Sequence, residues 1–174
     1  MKSTLFIVCG QGGAGKTTTA KLLSSLTKIP TLTTDEVIPF LFEEPSNSGK
    51  DHIFSDVEIK VCYNAFALVT TYILLAKGSI ILDAVFLKKK YLDKVISIAE
   101  KYSTPYYLLE VICPDKIIKE RITERFEKGG GVGWETHKQA KEKYQYHGRE
   151  SFKIDSTKNI KKQLQIFLAK IKME

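Results

Sequence analysis

The sequence of 174 residues has only three cysteines, and their spacing matches neither a zinc site nor a redox motif. Cys9, Cys62 and Cys113 stand among apolar residues, so we expect buried, reduced thiols. Long hydrophobic runs are also lacking. The N-terminal run is too short for a secretory signal, and residues 65–76 fall short of the roughly 20 apolar residues that a membrane span needs. These absences predict a cytoplasmic protein with no membrane segment.

The composition, 43% hydrophobic and 27% charged, is typical of a globular protein. No stretch rich in proline, glycine or serine divides the chain, which predicts a single domain over residues 1–174. The formal charge of +7 would suit a nucleic-acid partner. However, the lysines are spread along the length, which favours a solvated basic surface. The sequence does not indicate an oligomeric state.

Short apolar runs alternate with segments of helical period, and this alternation predicts an α/β fold with a parallel sheet covered by helices on both faces. The five predicted strands are Thr4–Val8, Thr31–Thr33, Ser79–Leu82, Tyr106–Ile112 and Phe152–Ile154.

Four apolar or mixed stripes at helical spacing predict helices that pack on this sheet. The longest helix begins with a capping-box pattern at Ser55 and Glu58. Its predicted core-facing stripe is Val57, Val61, Ala65, Leu68, Tyr72 and Leu75. The other stripes are Tyr91, Val95, Ile98 and Tyr102; Ile117, Arg121 and Arg125; and Ile160, Leu164, Phe167 and Ile171. Residues 43–54 and 128–134 are polar and carry glycine or proline, so we expect mobile loops there.

A glycine-rich loop, GQGGAGKT, follows the first predicted strand and precedes a helical segment. It matches G-x-x-x-x-G-K-[ST], whose glycines let backbone N–H groups surround a phosphate at a helix N-terminus. A merely flexible glycine turn is the less favoured interpretation. We predict that Lys16 reaches the β- and γ-phosphates of ATP, that Thr17 ligates Mg²⁺ and that Thr18 touches the α-phosphate. The predicted nucleotide-binding residues here are Gly10, Gln11, Gly12, Gly13, Ala14, Gly15, Lys16, Thr17 and Thr18.

Two acidic residues follow predicted strands. Asp83 ends an apolar strand, as does the acid that positions Mg²⁺ in phosphate-loop proteins, although an acid that only starts a turn would look the same. Asp35 follows the second strand and could accept the proton of an acceptor hydroxyl, or could simply stabilise the first turn of its own helix. Glu36 is the second choice for the base.

Arg121 and Arg125 are four residues apart and precede four closely spaced glycines. This pattern predicts a hinged lid, at about residues 127–148, that brings guanidinium groups over the transferred phosphate. The alternative is an exposed helix whose arginines pair with nearby glutamates. His52, His137 and His147 have no metal-ligand spacing and are expected at ordinary surface positions. Trp134 is expected to be a packing anchor.

These stretches, together with IILDAVFLKKKYLDKVISIAEKY and ICPDKIIKERITERF, resemble the P-loop kinases grouped around polynucleotide kinase and zeta-toxin-like ATP-binding proteins, which have an adenylate-kinase-like fold. The resemblance implies a three-layer P-loop fold with sheet order 2-3-1-4-5 and a short lid. It implies Asp35 as general base, Lys16 and Thr17 on ATP and Mg²⁺, and Arg121 and Arg125 as lid arginines. It also places the segment after the last strand, Asp155, Ser156 and Thr157, against the adenine.

The chain departs from that family three residues after Asp35. Many relatives have an arginine there that grips an acceptor phosphate, whereas this chain has Ile38 followed by Pro39. The resemblance therefore implies an ATP-dependent, Mg²⁺-dependent phosphotransferase acting on a hydroxyl of a small-molecule or nucleotide-type acceptor. An NTP-hydrolysing switch and a nucleic-acid-associated ATP-binding protein are the alternatives. We expect an acceptor pocket lined by Phe40, Phe42 and Phe54, with Lys50 as a possible charge.

Overall fold

The computed structural model describes residues 2–42 and 54–171. Five strands form one parallel sheet in the order β2-β3-β1-β4-β5, which confirms the predicted fold and strand order. The strands are β1 (Leu5–Cys9), β2 (Thr31–Thr33), β3 (Ile80–Asp83), β4 (Tyr106–Ile112) and β5 (Phe152–Asp155). Each lies within one residue of its predicted bounds because buried parallel strands are short, continuous apolar runs.

Helices cover both faces of the sheet. They are α1 (Lys16–Thr27), α2 (Thr34–Leu41), α3 (Asp56–Leu75), α4 (Lys89–Lys101), α5 (Asp115–Glu127), α6 (Trp134–Glu142) and α7 (Ile160–Ile171). Successive residues of β1 point to opposite faces: Leu5 and Ile7 pack with α3 and α4, and Phe6 and Val8 pack with α1, α5 and α7. Cys9 and Cys62 are buried as expected, whereas Cys113 is only partly buried.

Three strands end in one row at the carboxyl edge of the sheet. Asp83 of β3 pairs with Val8 of β1 on one side and with Thr33 of β2 on the other. The loop that follows each strand therefore starts from the same edge. In open α/β sheets this is the edge at which ligands bind.

The predicted core face of α3 is wrong. The capping box at Ser55 and Glu58 is present, but the stripe from Val57 to Leu75 faces outward except at Ala65, with Leu68 59% and Tyr72 65% exposed. The buried residues of α3 are Cys62, Tyr63, Phe66, Ala67, Thr70 and Leu74. Both faces of this helix are apolar, so periodicity alone could not tell them apart.

Helix α3 is also longer than the apolar run suggested. Among residues 2–42 and 54–171 it is the one helix that is long and apolar enough, by length and composition, to cross a membrane. One third of its most apolar window is buried in the fold. That buried part belongs to the core between α3, α4 and the sheet.

Candidate active site

The glycine-rich loop connects β1 to α1, and its conformation requires glycine at several positions. Gly10 has a φ of 135°, and a Cβ atom there would lie 2.5 Å from the carbonyl oxygen of Val111 in β4. Gly15, the residue before α1, has a φ of 103° in the left-handed region. The loop therefore turns tightly against the neighbouring strand and delivers its backbone N–H groups to the start of α1.

Lys16 is the first residue of α1, and its side chain is buried. Its Nζ donates a hydrogen bond of 3.0 Å to the carbonyl oxygen of Gln11, so the lysine folds back over its own loop. Burial lowers the pKa of Lys16, and the negative charges of Asp83 and Asp35 oppose that shift. The two acids predicted from the sequence therefore lie close enough to Lys16 to act on its charge.

Asp83 ends β3 and is 2% exposed. Burial raises its pKa, while the charge of Lys16 and the hydroxyl of Thr17 lower it. Its Oδ2 atom is buried and has no hydrogen-bond partner among the described residues. A buried carboxylate oxygen beside a threonine hydroxyl is a donor set that suits Mg²⁺, directly or through water.

No group of three or more His, Cys, Asp or Glu side chains in the described parts of the chain could hold a metal ion by itself.

A cavity of about 750 Å³ is lined both by the glycine-rich loop and by apolar side chains. Lys16, Thr17, Asp83 and Asp35 all line this cavity. Its apolar lining includes Ile38, Phe54, Ile59, Val85 and Leu87. Glu36 is exposed and does not line the cavity. Of the two neighbouring acids, only Asp35 therefore lines the cavity.

Asp35 lies in the first turn of α2, and its backbone N–H donates to the Thr33 hydroxyl at 3.4 Å. Thr33, not Asp35, is therefore the N-cap residue of this helix. The carboxylate of Asp35 still adds a negative charge to the first turn. Its role as a base stays a prediction.

Two of the aromatic residues expected to line the acceptor pocket do not do so. Phe40 is 92% exposed, and neither it nor Phe42 lines the cavity, whereas Phe54 does. Lys50 lies outside the described residues.

Arg121 of α5 contacts the loop after β5 instead of projecting freely over the glycine-rich loop. Its Nη1 donates to the Ser156 hydroxyl at 3.0 Å and to the Ala14 carbonyl oxygen at 3.4 Å, and Nη2 donates to the Ser156 carbonyl oxygen at 3.3 Å. Ser156 is buried and lines the cavity, but Thr157 is exposed, bonds to Asp155 and does not line it. Arg121 therefore links the two loops at the α5 end of the cavity.

Arg125, one turn further along α5, lines the cavity and lies against the glycine segment that follows the helix. A Cβ atom on Gly131 would lie 2.6 Å from Nε of Arg125. Within the described ranges, neither arginine forms the glutamate pairs considered as the alternative: Glu124 pairs with Lys128 at 2.5 Å. The lack of a side chain at residue 131 thus gives the guanidinium its space.

The helix α6 and the buried histidines were not found from the sequence. His137 of α6 is 5% exposed and His147 is 4% exposed, so the expected surface positions are wrong for both; His52 lies outside the described residues. The ring of Trp134 stacks on that of His137 at 5.1 Å, as suits a packing anchor. Spacing could not reveal these histidines because each is buried by a segment distant in sequence.

Comparison with known proteins relates this chain to a sequence family and to solved structures. The sequence pattern of the AAA domain family AAA_33 matches residues 5–147. No curated protein matches the chain in sequence.

Solved structures share the fold at low identity. An APS kinase, CysC of Mycobacterium tuberculosis, in complex with AMPPNP and APS is similar with a TM-score of 0.70 and 16% identity, over 98% of this chain and 97% of that one. A sugar kinase of Janibacter sp. is similar with a TM-score of 0.73 and 18% identity, over 99% and 95%. Kti12 of Chaetomium thermophilum in complex with ADP-AlF3 is similar with a TM-score of 0.76 and 16% identity, over 96% of each chain.

These comparisons support a broader family and do not single out the polynucleotide kinases and zeta toxins. The resemblance to that narrower group stays a prediction. The match over residues 5–147, the strand order and the loop geometry agree on one broader statement: the chain belongs to the AAA domain family AAA_33 and has a P-loop kinase-like fold.

Proposed function

We propose that this protein is a kinase that transfers the γ-phosphate of ATP to a hydroxyl group of a small-molecule acceptor. The observation that carries this proposal is that Lys16, Asp83 and Asp35 line one cavity together with the glycine-rich loop and several apolar side chains. The loop suits the phosphates, and the apolar lining offers space for an acceptor. Kinases with the same fold, including one crystallised with AMPPNP, support this proposal.

In this mechanism the loop amides and Lys16 hold the triphosphate, and Asp35 accepts the proton of the acceptor hydroxyl as it attacks the γ-phosphate. Arg125 offsets the negative charge that develops on the transferred group. Thr17 and Asp83 would hold Mg²⁺. When bound, Mg²⁺ neutralises part of the charge on the phosphate oxygens. Catalysis in this scheme is mostly positioning and electrostatic stabilisation.

The apolar part of the cavity lining and the residue at position 38 support an acceptor with an apolar body and without a phosphate or sulfate group. Ile38, Phe54, Ile59, Val85 and Leu87 line the cavity together with Asp35. Ile38 stands where the implied family carries an arginine for an acceptor phosphate, so an anionic group would gain no partner there. A carboxylate next to such a group would instead repel it.

The test is a transfer screen with ATP labelled at the γ-phosphate, run over nucleosides, sugars, antibiotics and oligonucleotides, with the products identified. We expect the acceptor that becomes phosphorylated to be a small molecule that is uncharged before the reaction. Label released only as inorganic phosphate, at a rate that no acceptor changes, would contradict the proposal and favour an NTP-hydrolysing switch.

The variants Asp35→Asn and Glu36→Gln are a matched pair, because both remove a charge in the first turn of α2 but only Asp35 lines the cavity. We expect Asp35→Asn to bind AMPPNP nearly normally and to transfer phosphate about 10²- to 10⁴-fold more slowly, the usual contribution of a general base. Glu36→Gln should be close to wild type. Equal losses in the two variants would remove Asp35 from the mechanism.

A further inference from the structure

Gly12, in the glycine-rich loop, contacts α6. Its φ lies outside the left-handed region, so its backbone conformation does not demand glycine. A Cβ atom on Gly12 would, however, lie 3.2 Å from Nδ1 of His137, closer than side chains normally approach. The missing side chain at position 12 therefore makes room for the imidazole of His137 against the phosphate-binding loop.

The imidazole of His137 is buried but not satisfied. It is 5% exposed and stacks on Trp134, and its Nε2 atom is buried without a hydrogen-bond partner among the described residues. Polar atoms in this state are rare because they have lost water and gained nothing in return. His137 also lines the cavity, and the ring nitrogen that faces Gly12 is Nδ1, so a ligand held by the loop would meet the imidazole at Nδ1.

The charges around His137 are mostly positive. Lys141 on its own helix, Lys16 at the start of α1 and Arg125 on α5 all act on it, and Asp115 at the start of α5 is the one opposing carboxylate in this set. Desolvation is the largest cause of a lowered pKa for His137, and these cations lower it further. The ring is thus neutral near pH 7. A polyphosphate in the same cavity would reverse the sign of its surroundings.

We propose that His137 is a nucleotide-binding residue of the lid, whose imidazole takes up one proton from solvent and donates a hydrogen bond from Nδ1, the ring nitrogen that faces the loop, to the polyphosphate when the nucleotide binds. This inference rests on the nucleotide-binding part of the proposed function, but not on phosphate transfer. The proposal gives α6 a role in nucleotide binding, because His137 on this helix becomes protonated when the negatively charged nucleotide is bound by the glycine-rich loop.

Calorimetry of Mg·AMPPNP binding measures how many protons the protein takes up when the nucleotide binds. The titration is run at pH 7 in two buffers that differ in ionisation enthalpy, with wild type, His137→Gln and His147→Gln. His147 is the matched control because it is equally buried and lies outside the cavity lining. We expect wild type and His147→Gln to take up more protons than His137→Gln, by up to about one per nucleotide. Taking the difference between variants removes the nucleotide's own protonation.

Trp134 supplies a second readout, its fluorescence emission. It is the only tryptophan of the chain, and a protonated imidazole stacked on indole quenches its emission. We expect the pH midpoint of tryptophan emission in the wild-type protein to move to higher pH when Mg·AMPPNP saturates the site. We also expect this midpoint to be missing in His137→Gln.

The outcomes separate the two proposals. Equal proton uptake by wild type and His137→Gln, or an emission midpoint that AMPPNP does not move, would overturn the role of His137 and leave the proposed kinase activity standing. Proton uptake on His137 without transfer to any acceptor would support His137 and overturn the phosphotransferase. Failure of the wild-type protein to bind AMPPNP would overturn both.

Discussion

Arg121 holds Ser156 by two hydrogen bonds, from Nη1 to the hydroxyl at 3.0 Å and from Nη2 to the carbonyl oxygen at 3.3 Å. This contact ties α5 to the loop after β5. Arg125, one turn away, instead lies beside the glycine segment and acts electrostatically on Lys16. The two arginines predicted together therefore make different contacts at the same cavity.

We expect Arg121→Ala to weaken the binding of AMPPNP, about 10- to 100-fold, since hydrogen bonds to a charged group are lost at the loop that contacts the nucleotide. Arg125→Ala should lower kcat by about 10³-fold with a smaller change in affinity, since its charge acts on the transferred phosphate. Binding titrations and steady-state rates with the identified acceptor measure the two effects. Parallel losses of affinity and turnover in both variants would show that the arginines do not divide the work.

Gly131→Ala should displace the guanidinium of Arg125, because the new methyl group would lie 2.6 Å from Nε. The displaced atoms are the end of a flexible side chain, so we expect lost turnover with little further loss of stability. Gly129→Ala is the control: its φ of 87° imposes a backbone strain similar to that of the 68° at Gly131, but nothing lies within 4 Å of its Cβ position among the described residues. Turnover that falls equally in both variants would attribute the effect to the loop backbone.

We expect substitutions on the two faces of α3 to differ in their effect on stability. Phe66 is fully buried, and Phe66→Ala should lower the free energy of unfolding by about 3–5 kcal/mol. Leu68, two residues later, is 59% exposed, and Leu68→Ala should change it by about 0.5 kcal/mol or less. Urea unfolding of the two variants measures both values. A larger loss for Leu68→Ala would show that the outward stripe is covered.

His137 and His147 should make stability depend on pH. Desolvation lowers both pKa values below the ordinary 6.5, so the unfolded chain binds more protons than the folded one. Their stabilising contribution is therefore present above pH 6.5 and is lost as the pH falls from there towards the lowered folded-state values. We expect the free energy of unfolding to drop by at most about 1.4 kcal/mol per pH unit for each histidine.

The check is urea unfolding from pH 7.5 to 5.5 for wild type and for the double variant His137→Gln/His147→Gln. The double variant should show a flatter pH dependence in this range, because the carboxylates titrate mainly below it. If both proteins lose stability at the same rate, another group is responsible.

The sheet and the glycine-rich loop were predictable because their signals are local. A buried parallel strand is a continuous apolar run, and the geometry at Gly10 and Gly15 demands a residue without a side chain. The inward face of α3 was not predictable, since Phe66 and Leu68 are equally apolar and only the packed sheet selects between them. His137 was missed for a similar reason: its burial depends on Gly12, which is 125 positions earlier in the chain.

The row formed by Val8, Thr33 and Asp83 has a consequence for folding. Three segments far apart along the chain supply the groups at this edge, and none of them is in place until the strands have paired. We therefore expect that a fragment lacking one of these strands would not bind a nucleotide. Recovery of nucleotide binding during refolding should therefore be among the last signals to return, after the secondary structure has formed.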